Sequence, residues 1–420
     1  MDLQYERALE LIEISSDTGE QKSEKWLQDR LNCTTASDVS SVFEERINPF
    51  KSRYQFIVEK VKCETSHFST VATCWGDKYE SIVVRVYEDI YEHQRPDLLV
   101  GPDGLPSPCR IWHMGLLTTN EFTMEIVDPA TSEVTRRVVP VGASIDGLAA
   151  IRGDTHLLEI KAPYARVPYD PENPNLEEYG DLEDTGFVKR NYWMQTQTQM
   201  AVTHIDQCAF FDTQFRESVY EEDEIVGVAL PKTEHPVVTL AEMYPNKYYG
   251  YILSEGRGVT ERVRYPMDEE HGWPRIILDP ERALTWCFEN ARPEEVILRW
   301  DLVHYMLHRV QRDRKWFDES LPQIGRTWNE IMEHRRLGTL PEKPVRKSPA
   351  SRSIRVNVDD LGLPDGVKFP RKATLSRAKK APKTEPKVEP VPTKGRAKPA
   401  IVRAPRRVRP VMSPVSSVNM

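Results

Sequence analysis

The fold is decided by residues 142–163, which read GASIDGLAAIRGDTHLLEIKAP. Apolar segments on both sides of Arg152-Gly153-Asp154 predict a β-hairpin with its turn at these three residues. Because side chains alternate along a strand, Glu159 and Lys161 share one face of the second strand. A pairing close to the turn brings Asp146 beside Glu159, so that two carboxylates and an ammonium group converge on one spot.

This trio predicts a metal-dependent nuclease centre. Divalent cations such as Mg2+ take oxygen ligands, usually one or two carboxylates together with water and phosphate. A cation so held activates water and neutralises charge on a phosphodiester oxygen, and a nearby lysine orients the water or offsets the phosphate charge. The E-x-K pattern alone is also typical of a solvent-exposed strand with an ion pair. The upstream Asp-Gly and the apolar strand around Glu159 make the two interpretations about equally good.

Length and composition exclude several other classes. With 420 residues the chain is long enough for a substantial core, in one large domain or two smaller ones. No apolar run has the length of a membrane span, and the first residues do not read as a signal peptide, so we expect a soluble, intracellular protein without a membrane partner. Six scattered cysteines without a C-x-x-C pair argue against a zinc ribbon, an iron–sulfur cluster or a disulfide framework.

Residues 341–420 differ from the rest in charge. They contain 20 Lys and Arg against 6 Asp and Glu, a net of +14 in a chain whose formal net charge is −8, so residues 1–340 are strongly acidic. The segment is also rich in proline and poor in aromatic residues, a composition that predicts disorder. It is interpreted as a nucleic-acid tether or a nuclear-import signal, and the alternative is a solubilising linker.

The N-terminal region carries a possible phosphate site. Residues 1–16 predict an amphipathic helix, and residues 24–31 predict a second one. Thr35 or Ser37 is placed to cap a further helix, and hydroxyl groups at a helix start beside Arg30 suit a phosphate. The alternative, an ordinary cap with a surface arginine, is the better interpretation of these residues taken alone.

Residues 75–87 predict a helix that carries Glu80 on a stripe of apolar side chains. A carboxylate in that position is costly unless it is paired or bound to a metal, so Glu80 is a candidate third acid. A boundary residue that reaches solvent explains it about as well. Residues 98–140 read as an antiparallel sheet that leads into the hairpin, and residues 164–190 as a surface loop over the site.

Residues 191–203 predict a helix with Tyr192, Gln195 and Gln199 on one stripe and Gln197 turned away. Glutamines that face inward usually hydrogen-bond a specific group, here a phosphate or the attacking water. A solvated polar face is the better interpretation from this helix alone. The helix leads into a further strand at residues 207–211.

Residues 282–287 and 293–317 both read as helical and predict a helical closure of the domain. On the second helix His304 and His308 would share a face, which makes a metal pair conceivable. The zinc-protease pattern H-E-x-x-H is absent, and packing or solvent exposure is the preferred interpretation.

Five segments taken together resemble a known family. They are R…TASDV, WGDKYE, GASIDGL, LEIKAP and YWMQTQTQMAVT, between residues 30 and 203. Their order is similar to that of the lambda-exonuclease and YqaJ-type viral recombinase family within the PD-(D/E)XK nuclease superfamily, over roughly residues 20–215. Each motif is common alone, but the ordered set is specific. Ile145 departs from the family, which often has proline before the aspartate.

The resemblance implies a role for each matching position. At the metal it places Asp146, Glu159 and the carbonyl of Ile160. As catalytic residues it places Lys161, Glu80 and Gln195. At the 5′-terminal phosphate and DNA it places Arg30, Ser37, Ser144 and, from the same motif as Gln195, Tyr192.

The resemblance also implies the fold and the domain organisation. The expected fold class is α/β (α+β), with a central mixed β-sheet flanked by helices and a PD-(D/E)XK restriction-endonuclease-like core. The expected exonuclease domain spans residues 1–340, with its core at about 20–215 and a helical closure at about 280–335. The basic tail follows as residues 341–420.

The implied function is a Mg2+-dependent DNA exonuclease that degrades one strand of linear duplex from its 5′ end, in viral-type recombination, repair or replication. Mn2+ is expected to substitute for Mg2+. The implied partners are duplex DNA ends, a single-strand annealing protein and further copies in a homo-oligomeric ring, at a host nuclear or cytoplasmic viral replication site. The alternatives are a structure-specific or nicking endonuclease, and a non-catalytic DNA-binding or packaging protein.

Overall fold

A computed structural model describes residues 2–16, 18, 21–64, 69–100, 105–127, 132, 134–164, 188–221, 224–229, 248–269 and 271–344. Met1–Arg346 group into one compact unit. The predicted loop at residues 164–190 and the predicted tail at residues 341–420 lie almost entirely outside the described residues. Their predicted structure, and the domain boundary at residue 340, therefore stay predictions.

Five of the helices within the described ranges overlap helices predicted from the sequence, whereas the third, Arg53–Lys62, and the last, Arg314–Leu337, were not predicted at those positions. The helices are α1 (Leu3–Ser16), α2 (Glu24–Leu31), α3 (Arg53–Lys62), α4 (Val71–Gln94), α5 (Arg190–Thr203), α6 (Pro280–Asn290) and α7 (Arg314–Leu337). Side chains at N-caps fix several of the starts: Ser23 accepts a hydrogen bond from the Trp26 amide at the start of α2, and Asp279 caps α6 in the same way.

The strands before residue 162 are short, and the two longest strands come after residue 206. The first group is β1 (Thr34–Thr35), β2 (Ile111–Trp112), β3 (Leu116–Thr119), β4 (Thr123–Val127), β5 (Val134–Val138), β6 (Val141–Ser144), β7 (Gly147–Ala149) and β8 (His156–Lys161). The second group is β9 (Gln207–Glu221), β10 (Glu224–Ala229), β11 (Tyr249–Glu255), β12 (Arg262–Arg264), β13 (Met267–Asp268), β14 (Arg275–Ile276) and β15 (Val296–Gln311).

The main sheet has eight strands in the order β12-β11-β15-β9-β8-β7-β2, with β10 also paired to β9. It is a mixed sheet, since β8 and β9 are parallel while the pairs β7–β8 and β9–β15 are antiparallel. The helix α5 lies in the crossover between the parallel strands, as parallel pairing requires. The predicted fold class, a mixed sheet flanked by helices, is confirmed.

The sheet separates two hydrophobic layers. Leu157 on β8 packs in a core cluster with residues of α1, α5 and α7. Its neighbour Leu158 packs in the other cluster with residues of α4. Since side chains alternate along a strand, Glu159 lies on the same face as Leu157, with α5 above it.

The predicted first strand of the hairpin is interrupted, which corrects the sequence prediction. The chain leaves β6, a strand of a separate three-stranded sheet β1-β6-β3, at Ser144 and enters β7 of the main sheet at Gly147. The register pairs Gly147 with Leu158, and continuing it by one residue places Asp146 opposite Glu159. A Cβ at position 147 would collide with Ile111 on β2, which explains the glycine after Asp146.

Two helix predictions are wrong. Most of residues 293–317 forms β15, a strand in the middle of the main sheet between β9 and β11. A run this rich in apolar residues suits a strand as well as a helix, and consecutive residues are buried only at 300–303. His304 and His308 are therefore roughly 13 Å apart along an extended strand and cannot share an ion. Residues 36–41 form a short 3₁₀ helix, Ala36–Ser41, without a side-chain cap from Thr35.

Two predicted absences concern the membrane and disulfides. Among the helices in the described ranges, none combines the length and the apolar character that crossing a bilayer requires. All six cysteines fall in these ranges and are free thiols in this structure.

Candidate functional site

Two carboxylates meet where β7 and β8 begin to pair. Glu159 on β8 is fully buried, and Asp146 accepts a hydrogen bond from the Ile160 amide at 2.7 Å through Oδ2. Burial, together with the charge of Glu159, raises the pKa of Asp146 well above its ordinary value, and Lys161 only partly offsets this. The structure thus brings Asp146, Glu159 and Ile160 together as the sequence predicted.

Three donors hold the Glu159 carboxylate. Lys161 Nζ and Gln195 Nε2 (2.7 Å) donate to Oε1, and Gln199 Nε2 donates to Oε2 at 2.6 Å. A carboxylate offers about four lone-pair sites. Three are occupied here, so the remaining acceptor site lies on Oε2.

The ammonium group of Lys161 lies between the acids and an aromatic ring. Its Nζ is 5.1 Å from the centre of the Tyr192 ring. Burial by itself lowers the pKa of Lys161, but the charges of Glu159 and Asp146 outweigh burial and raise this pKa above its ordinary value. Lys161 is therefore a cation in this state.

Glu80 lies on α4 beside this centre and is half-buried. Burial raises the pKa of Glu80, and Lys22 and His113 partly oppose the effect. The charge of Glu80 in turn raises the pKa of Asp146. Glu80, His113 and Met114 line a cavity of about 420 Å³, so the third acid predicted from the sequence faces open space near the pair.

Arg30 and Ser37 lie together in a second group. The guanidinium of Arg30 donates to Ser37 Oγ at 3.0 Å and to Thr35 Oγ1 at 3.5 Å. Its carbon is stacked 4.4 Å from the centre of the Trp26 ring. Within the described ranges Arg30 forms no salt bridge with a carboxylate, so this cation can take an anionic ligand.

A buried ionic cluster lies next to Arg30 and contacts its backbone. Asp38 accepts hydrogen bonds from Lys51 (2.9 Å) and Thr35 (2.9 Å), and Lys60 donates to the Arg30 carbonyl at 2.5 Å. Burial of Asp38 raises its pKa, but Lys60, Lys51 and Arg30 outweigh burial and hold this pKa well below its ordinary value. This cluster has no recognisable signal in the sequence, because its members are separated by a helix and a loop.

Ser144 connects the two groups. Its hydroxyl accepts a hydrogen bond from the indole of Trp26 (2.9 Å), and its carbonyl accepts one from Gln199 Nε2 (3.1 Å). A continuous path of contacts therefore runs from the Arg30 guanidinium through Trp26, Ser144 and Gln199 to Glu159. Trp26 had no sequence signal as a site residue, whereas the helical stripe already placed Gln199 beside Gln195.

Gln197 is turned away from the site, as predicted, but it is buried. Its Nε2 donates to the Gln311 carbonyl at 2.8 Å, and its Oε1 accepts from the Asp313 amide at 2.6 Å. Gln197 therefore holds the junction between β15 and α7 and is a structural residue.

The donor set fits a hard divalent cation. Within the described part of the chain, no group of three or more Asp, Glu, His or Cys side chains is placed to hold a metal ion by itself. Mg2+ needs fewer, because it is usually bound by one or two carboxylates and keeps several waters. Asp146, Glu159 and Glu80 form a cluster of acids that repel one another, as the raised pKa of Asp146 shows. A cation bound at the remaining acceptor site of Glu159 Oε2 would stabilise this cluster.

Comparison with known proteins agrees with the resemblance found in the sequence. Residues 25–206 match the model of the YqaJ-like viral recombinase domain. The chain is 25% identical over 374 residues to "Uncharacterized protein R354" of Acanthamoeba polyphaga mimivirus, an alignment that covers 83% of this chain and 60% of the relative. The chain thus spans about three fifths of that relative's length.

Two solved structures are also similar. An alkaline exonuclease (LHK-Exo) from Laribacter hongkongensis is 17% identical, with 75% of this chain and 95% of that chain covered and a TM-score of 0.34. A phage-related exonuclease from Haemophilus somnus 129PT is 10% identical, with 72% and 96% covered and a TM-score of 0.34. The family match and the motifs assembled at the site together show that residues 25–206, somewhat under half of this chain, are similar to the YqaJ-like viral recombinase domain.

Proposed function

We propose that the chain is a divalent-metal-dependent nuclease that degrades one strand of linear duplex DNA from its 5′ end. One observation carries the proposal: Ser144 joins a two-carboxylate and lysine centre to an arginine that has no carboxylate partner in the described ranges. An acidic centre of this kind suits phosphodiester hydrolysis, and a separate cationic group suits a terminal phosphate. The family match and the exonuclease names of the similar structures are consistent with this function.

Asp146, the Oε2 atom of Glu159 and the carbonyl of Ile160 are the groups that would hold Mg2+, with Mn2+ as a substitute. When bound, the cation lowers the pKa of water and neutralises charge on the phosphate. Gln195 and Gln199 keep the Glu159 carboxylate in one orientation, which pre-organises the site before DNA arrives.

The proposed roles of Lys161 and Glu80 follow from their protonation behaviour. Lys161 is a cation, so it offsets the charge of the scissile phosphate and donates a hydrogen bond to it or to the attacking water. The raised pKa of Glu80 makes this carboxylate a better proton acceptor than an ordinary surface glutamate. Tyr192 packs against the ammonium group and limits its motion.

The group formed by Arg30, Ser37 and Ser144 is the basis of the proposed polarity. A terminal phosphate carries more charge than an internal one, and a guanidinium binds it through paired hydrogen bonds. Holding that terminus at a fixed distance from Glu159 would place the first phosphodiester at the acidic centre. Cleavage would then proceed from the 5′ end and leave a 3′ single strand, a suitable substrate for a single-strand annealing protein.

The test uses linear duplex DNA labelled at either end, with and without a 5′ phosphate, in Mg2+. We expect release of 5′-terminal nucleotides, faster with the phosphate, and at least a 1000-fold loss of rate in Lys161→Ala with duplex binding retained. Lys315→Ala, at an 84% exposed lysine on α7, is the matched control. Full activity of Lys161→Ala would refute the assignment of the centre.

A closed circular duplex separates the proposal from its alternatives. An exonuclease leaves it intact, whereas a nicking or structure-specific endonuclease cuts it with the same acidic centre. A protein without Mg2+-dependent turnover on any DNA would instead be a binding or packaging protein.

A further inference from the structure

An arginine outside the proposed centre is stacked against two tryptophans. The guanidinium carbon of Arg110 lies 3.7 Å from the centre of the Trp112 ring and 4.9 Å from that of Trp273. All three side chains are half-buried, so each still presents surface to solvent. Planar stacking on an indole fixes the orientation of the guanidinium while leaving its N–H groups at the edge.

Nearby carboxylates do not neutralise this arginine. Glu92 accepts a hydrogen bond from the Cys109 amide (2.8 Å) and Glu88 one from the Ile111 amide (3.1 Å), on either side of Arg110. Both carboxylates form their ion pairs with Arg275 instead. Among the described residues, none accepts a hydrogen bond from the Arg110 guanidinium. The Arg110 guanidinium is fixed in orientation, partly desolvated and not paired with a described carboxylate, so it is suited to bind an anionic ligand.

The stack lies beside the proposed nuclease centre. Trp112 on β2 is paired with Leu148 on β7, and both belong to the hydrophobic layer on the Glu159 face of the sheet. Asp146 precedes Leu148 by two residues, roughly 7 Å along the strand. The residue after Trp112 is His113, which lines the cavity that also contains Glu80. The stack and the acidic centre are therefore neighbours along one sheet edge.

We propose that Arg110, Trp112 and Trp273 form a binding site for single-stranded DNA next to the acidic centre. The guanidinium would take a backbone phosphate, and the indole of Trp273 would stack on an unpaired base. Both are recurrent means of holding single strands without sequence preference. An unpaired base is required because a base within a duplex has no free face. The inference rests on the proposed nuclease function and extends it to the strand adjoining the cleavage site.

The experiment measures binding of a fluorescent oligothymidylate to the full chain in EDTA, which prevents metal-dependent cleavage. Arg110→Gln and Trp273→Ala are each expected to weaken binding about fivefold or more. Arg110→Gln should also reduce the slope of log affinity against log salt by roughly one, because one phosphate contact is lost, whereas Trp273→Ala should leave that slope unchanged. Arg136→Gln is the control, at an arginine on β5 that is 75% exposed and paired with Glu125.

Unchanged affinity and slope in both folded variants would overturn the inference, and a lowered Tm with unchanged affinity would show that the stack only clamps the fold. If Arg110→Gln fails to fold, Arg110→Lys keeps the charge but loses the planar stack, and it should still bind more weakly. Duplex cleavage by the same preparations separates the two proposals. If the wild type cleaves duplex DNA but single-strand binding is the same in the wild type and the variants, only this inference is refuted. If the wild type shows no Mg2+-dependent cleavage, the proposed function is refuted.

Discussion

The side-chain amide of Gln199 donates to Glu159 Oε2 at 2.6 Å, entirely out of contact with solvent. The same nitrogen donates to the Ser144 carbonyl at 3.1 Å. The Oε1 atom of Gln199 is buried and has no hydrogen-bond partner within the described part of the chain. A buried acceptor without a hydrogen bond costs about 1–3 kcal/mol of folding free energy. The fold tolerates this cost at Gln199, whose side chain fixes one carboxylate oxygen of Glu159 relative to Ser144.

Gln199→Met should therefore reduce nuclease turnover at least tenfold while the protein stays folded. The substitution keeps the approximate volume but removes both hydrogen bonds, which frees Glu159 from Ser144. We also expect a weaker preference for 5′-phosphorylated ends, since the two groups lose their common anchor. Turnover and end preference are measured on duplexes with and without 5′ phosphate.

Gln323→Met is the matched control for this change. Gln323 is a helical glutamine on α7 whose amide donates to the Val42 carbonyl, away from the acidic centre. Wild-type turnover and end preference in Gln199→Met would contradict the positioning role.

The acid limb of the pH–rate profile should depend on Mg2+. Burial and the charges of Glu159 and Glu80 raise the pKa of Asp146, so this group protonates at a higher pH than an ordinary aspartate and activity falls as pH falls. Because the cation competes with the proton, more Mg2+ should move the limb to lower pH. The measurement is kcat/KM against pH at several Mg2+ concentrations.

Glu80→Gln provides an internal check on that profile. It removes one of the charges that raise the pKa of Asp146, so the limb should move to lower pH even if the rate also falls. A limb that is independent of both Mg2+ and residue 80 would contradict the assignment of Asp146 as a metal ligand.

Asp146→Asn should raise the Tm at neutral pH and abolish activity. A carboxyl whose pKa is raised in the folded state favours folding when protonated, and this stability is lost as pH rises through the raised pKa. A neutral amide avoids the repulsion from Glu159. Mg2+ should raise the Tm of the wild type by binding the folded state, but not that of Asp146→Asn.

Thermal melts with and without Mg2+ test this expectation. The control is Asp206→Asn, at a half-buried surface aspartate that pairs with Arg312 and Arg314. It should keep the full Mg2+ shift. Equal Mg2+ shifts in Asp146→Asn and wild type would place the ion elsewhere.

Stability should fall below about pH 6.5 because of His156. This buried imidazole accepts a hydrogen bond from Tyr87 and donates through Nδ1 to the Asp154 carbonyl, both at 2.6 Å, so it is held neutral. Burial, reinforced by Arg309, lowers its pKa from 6.5 to about 3. In this pH range His156 is protonated in the unfolded chain but stays neutral in the folded chain. The free energy of unfolding therefore decreases as pH falls from about 6.5 towards 3.

Urea midpoints across this range measure the effect. His156→Gln should flatten the dependence, whereas His93→Gln, at a 76% exposed histidine, should leave it unchanged. Parallel curves for wild type and His156→Gln would show that another group controls acid stability.

Removal of residues 345–420 should weaken duplex binding and reduce its dependence on salt. This segment contains 19 Lys and Arg against 5 Asp and Glu, and each phosphate contact of a basic residue adds to the salt slope. Binding of the full and shortened chains, measured between low and high salt, should converge as salt rises. Identical slopes would contradict the tether interpretation.

The sequence by itself determined the elements whose signal is local. Alternation along β8 placed Glu159 and Lys161 on one face, and the glycine and polar residues at 152–154 set the turn. The helical stripe of α5 placed Gln195 towards the acids and Gln197 away from them. These predictions succeeded because each depends on the geometry of a few consecutive residues.

Contacts between distant segments decided the rest. The run of residues 296–311 is apolar enough for a helix or a buried strand, and only pairing with β9 and β11 made it β15. The change of sheet between Ser144 and Gly147 depends on partners that lie far away in sequence. So does the path from Trp26 through Ser144 to Gln199, because hydrogen bonds between residues more than fifty positions apart exist only once the chain has packed.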